Sequence, residues 1–506
     1  MNNILSALAS VSLCFALLFT SSISKSGTKS KAISIAKAGT VIINLEYSQY
    51  QPGDTLMIRK IDLMNTTDHK NYYPVKDLNG MFRFEFPAVE KCGYWELIEI
   101  NRNFDKRGQF IEQALSMSYF WETGDSITYY LSKTRLAPFA FAMAQFIGRG
   151  AFKYNVSRAI NDLSIVNGLP QKKRLNPWFN DRFEFIRQTD TLLQMKLDLL
   201  LSLKPGLSSL SYEVLKADAI YSNDSPEYFT RKYFDDYVSK LPKSNREKLV
   251  ANYFRTFGNV SLSAISIDGI ENSAYSASYL RKKLSTSAYL LSGKEDQVGT
   301  YNQIKQNTGG YIRERILSGY FLGSRLVENI DSLIVDAKNL FVSNSGKIIY
   351  EKKILPMTFK KKFKNYELVN REGSTVTLNK FLGKIQVLDF WFSGCGGCML
   401  YYTTALSKAE EHFKNDPEVE FISITSDRNA DIWEQAIKSK KYTNERVTNL
   451  STKGSEHAIY KENNIHSTPT ALLLDKDGTV VFNNTSNLYN VDGLIKAIAE
   501  LKSKKR

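Results

Sequence analysis

Cys395 and Cys398, separated only by Gly396 and Gly397, are the side chains in this sequence best placed to do chemistry. A thiolate attacks a disulfide sulfur, and a second thiol two residues further on can reach the resulting mixed disulfide and resolve it within the protein. At the start of a helix, unpaired backbone N–H groups and the positive end of the helix dipole favour thiolate over thiol. Cys395 is therefore the expected nucleophile and Cys398 the resolving thiol. The two glycines between them make the loop pliable and add no charge. Half of a zinc site is a rival use of such a pair, but no second CxxC exists and His457 and His466 lack ligand spacing. The sequence implies no metal and no cofactor.

The elements around the pair follow from hydrophobic pattern. Residues 385–391 form a near-continuous apolar run, as a buried central strand requires, and deliver Cys395 just ahead of an amphipathic stretch over 398–413. A further strand is expected over 421–425, a helix over 431–439, a hairpin of 471–474 with 480–482 around Asp477-Gly478, and a closing helix over 491–502. Asp389 lies inside the apolar run, where a buried acid can handle protons. Pro469, between Thr468 and Thr470 and ahead of an apolar strand, is expected in cis.

Asp389-Phe390-Trp391, three residues, then Cys395-x-x-Cys398 resembles the active-site strand of thioredoxin. The whole of 363–506 resembles TlpA/ResA-type reductases in their Bacteroidetes-type multidomain form, and 366–369 with 372–378 looks like that family's opening hairpin. The resemblance implies an α/β thioredoxin fold in which Cys395 and Cys398 are the redox pair, Asp389 transfers a proton to the resolving cysteine, and Pro469 is the cis-proline beside the dithiol. Thr468 and Trp391 are then expected beside bound substrate. It also implies partners: disulfide-containing exported proteins as targets and a membrane thiol carrier as electron donor. Two positions depart from the pattern. Gly394 stands where an aromatic often precedes the first cysteine, and Tyr401 stands where ResA-type proteins place a buried glutamate, which throws more of the acid–base burden onto Asp389.

At 506 residues the chain is long enough for roughly three domains. With 43% hydrophobic and 24% charged residues, neither wholesale disorder nor a multi-span membrane protein is indicated. An apolar run over 4–19, small residues over 20–24 and a basic, Ser-rich tract after them read as a secretory signal, or as an uncleaved anchor that tethers the protein to the membrane. Cys14 follows Leu13, where lipidation signals want a small residue. The expected location is thus the periplasm or cell envelope. Cys92, beside Gly93, Tyr94 and Trp95, reads as an inert core thiol. The net charge of +15 is spread along the chain, which suits solvated faces and argues against nucleic acid as a partner.

Between 41 and 132 short β-type runs alternate with turn signals such as Pro52-Gly53-Asp54 and Thr123-Gly124-Asp125, predicting an antiparallel β-sandwich-like domain over 25–136. It resembles the small β-domain that precedes the thioredoxin domain in many exported reductases. Over 137–350 the period becomes helical, clearest where Ile186, Leu193, Leu197 and Leu200 share a face before Pro205-Gly206. The basic stretch 352–364, with Pro356, reads as a linker into a last domain over 351–506. The expected layout is a signal segment over 1–24, then β, helical and α/β domains. Two other readings stand beside the reductase: an isomerase or oxidase, and a binding or scaffold protein in which the last domain is a passive adapter.

Overall fold

The computed structural model describes residues 39–64, 69–76, 81–104, 110–132, 143–166, 178–179, 182–186, 191–222, 227–258, 265–323, 330–357, 362–463, 465, 467–483 and 486–503. The expected signal segment, Cys14 and His466 lie outside the described residues.

Strands β1 (Thr40–Tyr47), β2 (Thr55–Ile61), β3 (Lys70–Tyr72), β4 (Val75–Lys76), β5 (Phe82–Pro87), β6 (Cys92–Phe104), β7 (Phe110–Ala114), β8 (Tyr119–Glu122), β9 (Ser126–Ser132) and β10 (Met143–Arg149) open the chain. They form two sheets, ordered β10-β9-β1-β5-β4 and β3-β2-β6-β7 with β8 also paired to β6. Period-two alternation explains the packing: Phe82, Phe84 and Phe86 point inward while Glu85 faces solvent. Val41, Ile43, Phe84 and Phe86 of one sheet meet Ile58, Trp95 and Leu97 of the other in one apolar core. Two features differ from expectation. β1 and β9 run parallel in an otherwise antiparallel layer. The sheet also runs past 136, because β10 pairs along β9 and stacks Phe146 on Tyr129 at 4.5 Å.

Cys92 opens β6, is buried and donates its thiol hydrogen to Asn272 Oδ1 at 3.3 Å. Burial, and next the nearby Glu122 carboxylate, push this thiol up to about 12, so it stays protonated and unreactive at neutral pH.

The middle of the chain is helical, as expected, though not in every register. β11 (Trp178–Phe179) and β12 (Phe185–Ile186) form a short ribbon, so Ile186 is in a strand and off the predicted helical face. The helix Thr191–Leu203 buries Leu192, Lys196 and Leu200, while Leu193 and Leu197 are half-buried flanks, and Lys204–Gly206 ends it where Pro205-Gly206 predicts. Arg315, on the helix Gly310–Gly323, fastens the two regions together. Its guanidinium is buried and donates to the carbonyls of Leu63 (3.0 Å), Glu271 (2.7 Å) and Ser273 (2.8 Å). The expected linker is shorter than 352–364: Tyr350–Ile354 and Leu355–Met357 are still helical turns, with Tyr350 and Ile354 in the helical core. Phe363 already belongs to the last domain, its amide donating to the Gly478 carbonyl at 2.8 Å.

That domain contains β13 (Glu367–Asn370), β14 (Thr375–Thr377), β15 (Ile385–Trp391), β16 (Val419–Thr425), β17 (Thr448–Ser451), β18 (Thr470–Leu474) and β19 (Val480–Asn483), ordered β14-β13-β17-β16-β15-β18-β19. β15 runs parallel to β16 and antiparallel to β18, and every one of its side chains is buried. The helix Gly396–Tyr401 passes through a π turn, Tyr402–Leu406, into Ser407–His412. With the helix Val491–Ser503 it covers one face of the sheet, where Val387, Leu406, Ala409, Leu473, Leu494 and Ile498 share a core.

Candidate active site

Alternation along β15 sends Leu388 and Phe390 to one core and places Asp389 and Trp391 on the opposite face, with Ile385 and Val387. The chain then turns sharply. Gly394 has φ +95°, a left-handed conformation that an aromatic residue would adopt only under strain, which accounts for the glycine at this position. Cys395 caps the following helix, its Sγ accepting the Cys398 N–H at 3.1 Å. Cys395 and Cys398 are joined in a disulfide with their Cα atoms 5.2 Å apart, and both are buried. In the dithiol form the same N–H and helix start would stabilise a Cys395 thiolate.

The Thr468–Pro469 peptide is cis and lies against the pair. Thr468 Oγ1 is 3.7 Å and its carbonyl oxygen 3.8 Å from Cys395 Sγ. A Cβ added to Gly397 would sit 3.3 Å from Pro469 Cδ, whereas one on Gly396 would meet nothing within 4 Å. The two glycines are therefore not equivalent. Gly396→Ala is expected to raise stability by about 0.4–1 kcal/mol through the lost freedom of the unfolded chain. Gly397→Ala is expected to gain less or nothing, since Pro469 must yield; urea denaturation of both oxidised variants checks this, and equal gains would refute the close approach.

Asp389 is 4% exposed, and its Oδ1 has no hydrogen-bond partner among the described residues. Burial, reinforced by the charge of Glu410, holds this carboxyl well above the usual carboxylate range. The dithiol and the cis-proline thus meet beyond the end of β15 and ahead of the start of β18, and Asp389 is buried within β15.

Residues 383–480 match the family model described as thioredoxin-like. The last domain is thioredoxin-like. No curated protein matches the chain. Among solved structures, the thioredoxin domain of a thiol-disulfide oxidoreductase from Bacteroides vulgatus is 24% identical, over 28% of this chain and 95% of that one, with a TM-score of 0.25. A thiol:disulfide interchange protein from a Bacteroides species is also 24% identical, over 29% and 92%, TM-score 0.25. A thiol:disulfide interchange protein from Chlorobium tepidum is 17% identical, over 28% and 94%, TM-score 0.24.

In the thioredoxin-like domain, Cys395, Cys398, Thr468 and Pro469 come together as the sequence predicts, with Asp389 buried on the same face of the sheet. Trp391 requires correction. It is fully buried, stacks on Tyr442 at 5.1 Å with rings nearly coplanar, and donates its indole N–H to Ser423 Oγ at 2.6 Å. It supports the active-site turn from below and presents no surface to a substrate. His457 is also structural: its Nδ1 accepts the Ile459 N–H at 3.2 Å, capping the helix Ala458–Glu462.

Several positioning residues escape sequence reasoning. Tyr442 OH accepts the Gly394 N–H at 2.9 Å. The Asp427 carboxylate takes the Ser393 N–H at 3.1 and 3.2 Å as well as the Ser393 hydroxyl. Tyr489 OH donates to the Pro469 carbonyl at 3.1 Å, accepts the Ala471 N–H at 2.9 Å, and its ring packs on Tyr401 at 4.8 Å. Tyr401 thus buttresses the cis-proline segment instead of supplying an acid. Only Asp427 carries a usable sequence signal: it lies two residues beyond the carboxyl end of a parallel strand, where α/β sheets place functional groups.

Proposed function

We propose that the chain is an exported thiol–disulfide oxidoreductase that reduces disulfides in other exported proteins, recharged by a membrane thiol carrier. The observation that carries this reading is the Cys395–Cys398 disulfide at a helix start, against the cis Thr468–Pro469 peptide. The thioredoxin-like match over 383–480 supports it. The signal-like segment at 1–24 supports export.

In the reducing direction the Cys395 thiolate attacks one sulfur of a target disulfide, and the target's other sulfur leaves as a thiolate and is protonated by water. The ionised fraction of Asp389 removes the Cys398 proton, directly or through a water; the Cys398 thiolate then attacks Cys395 Sγ, forming the intramolecular disulfide and expelling the second target thiolate. The target gains two electrons and the dithiol loses two. Thr468, 3.7 Å from Cys395 Sγ, is the residue placed to meet the target beside the attacked sulfur.

A redox titration of the mature chain, quenched by alkylation and read at each cysteine, tests the reading. A potential well above roughly −300 mV, with Cys395 alkylated faster than Cys398, is the expected result. A pair that stays oxidised below that range is a structural bridge, and the scaffold reading then takes over.

A further inference from the structure

A cavity of about 130 Å³ lies between the helix Ser276–Ser292, the helix Gly310–Gly323 and the segment Leu63-Met64 that follows β2. Its lining is mixed. Met64 and Ile316, both buried, join Leu63 and Leu322 as apolar walls, while Arg281, Ser318 and Arg315 bring polar groups to the same space. The Arg281 guanidinium meets one acceptor among the described residues, the Gly319 carbonyl, and no carboxylate pairs with it there. A Cβ on Gly323 would come within 3.1 Å of Arg281 Nη1, so this glycine leaves the guanidinium room at the helix end. Ser318 is 1% exposed, and its Oγ has no hydrogen-bond partner among the described residues. Serines on the facing helix behave differently: Ser287 and Ser292 return their hydroxyls to the carbonyls of Lys283 and Ala288 at 3.1 and 3.0 Å. Arg315 is already engaged, through the carbonyls of Leu63, Glu271 and Ser273. The donors left over are therefore those of Arg281 and Ser318.

We propose that this cavity is a binding site for a small monocarboxylate with a short apolar chain, its carboxylate held by Arg281 and Ser318 Oγ and its chain lying against Leu63, Met64, Ile316 and Leu322. A partly buried cation without a counter-charge and a buried hydroxyl without a partner each cost the fold free energy, and one oxyanion satisfies both. Burial lowers the basicity of Arg281, and a bound carboxylate would restore it. A carboxylate matches the planar fork of a guanidinium with two parallel hydrogen bonds. The size agrees, since a protein cavity of about 150 Å³ holds a molecule as large as benzene, so about six heavy atoms, as in butyrate, fit here. Free phosphate offers the same charge chemistry, but it would set its remaining oxygens against apolar walls that give them no donors. The site is built without the dithiol and stands whether or not the chain exchanges thiols.

Isothermal titration calorimetry of the oxidised mature chain with sodium butyrate, acetate and inorganic phosphate tests the assignment. Butyrate is expected to bind saturably at one site per chain, acetate about tenfold more weakly because two methylenes leave the apolar walls, and phosphate more weakly than butyrate. Ser318→Ala removes no hydrogen bond among the described residues; it is expected to keep the fold and to weaken butyrate binding by about tenfold, the effect of one hydrogen bond to a charged group. Arg281→Met keeps an apolar stem without the charge and is expected to weaken binding by about a hundredfold or more. Circular dichroism reports whether each variant is folded, and should Arg281→Met not fold, Ser318→Ala decides alone. Butyrate that fails to bind, or that binds Ser318→Ala as tightly as the parent, overturns the proposal. Phosphate that binds more tightly than butyrate, with the same sensitivity to both substitutions, overturns the carboxylate assignment and makes the site one for a free phosphate group.

Discussion

Cys395→Ser is expected to abolish thiol–disulfide exchange, leaving only the background rate of the uncatalysed reaction, while Cys398→Ser is expected to accumulate a stoichiometric mixed disulfide with its target. The asymmetry follows from position. Cys395 Sγ receives the Cys398 N–H at the helix start and faces Thr468, whereas Cys398 lies deeper, on the first turn, toward the buried face of the helix. A nucleophile must be reached by the target; a resolving thiol must reach only its neighbour. Neither change is expected to unfold the chain, since a cross-link closing so short a loop contributes about 2 kcal/mol at most. Mass spectrometry of non-reduced protein after incubation with a disulfide-bearing substrate reads both outcomes. Exchange that persists in Cys395→Ser would remove the nucleophile assignment, and turnover without an adduct in Cys398→Ser would remove the resolving one.

The parts of this site that could be read from the sequence are those written in local pattern. The apolar run of β15, the CxxC spacing, Asp389 within the run and Pro469 before another apolar run each constrain a short stretch of chain, and the structure places all of them as that pattern requires. What was not legible depends on contacts between residues far apart in sequence. β17, Thr-Asn-Leu-Ser, has one apolar residue and no strand signature; its place between β13 and β16 comes from pairing with both. Trp391 reads from the sequence as more apt to pack than to react though placed beside substrate, and Tyr442 and Ser423, both dozens of residues away, bury it completely. Glu410 was invisible for the same reason. Within Ser407–His412 it sits among Lys408, Glu411 and His412, which reads as a solvated face; only the approach of Asn444 from the loop after Ala430–Ser439 shows that it is enclosed. In the β and helical regions alternation and turn residues gave the layers, while the parallel pairing of β1 with β9 and the displaced helical stripe at Leu192 and Lys196 were set by tertiary packing.

Asp389→Asn separates the acid–base role from the structural one, because the two respond to pH in opposite senses. For function, replacing the carboxyl by an amide removes the group that accepts the Cys398 proton, and exchange near pH 7 is expected to slow by about a hundredfold or more. For stability, the sign is reversed. The folded state holds the Asp389 carboxyl well above its ordinary value of 3.8, through burial first and Glu410 second, so between 3.8 and that raised value the folded chain binds more protons than the unfolded one. Stability contributed by the neutral carboxyl is therefore lost as pH rises through this window. Asparagine cannot ionise. Asp389→Asn is expected to match the parent near pH 3.8 and to become progressively more stable than it toward alkaline pH, as read by urea denaturation at a series of pH values. A rate profile unchanged by the substitution would take Asp389 out of the mechanism, and a stability difference independent of pH would mean that its carboxyl is not held protonated by the fold. If both expectations hold, the buried acid destabilises the domain at alkaline pH in exchange for a titrating group in the strand that leads to the dithiol, which explains a carboxyl whose Oδ1 has no partner among the described residues in so buried a strand.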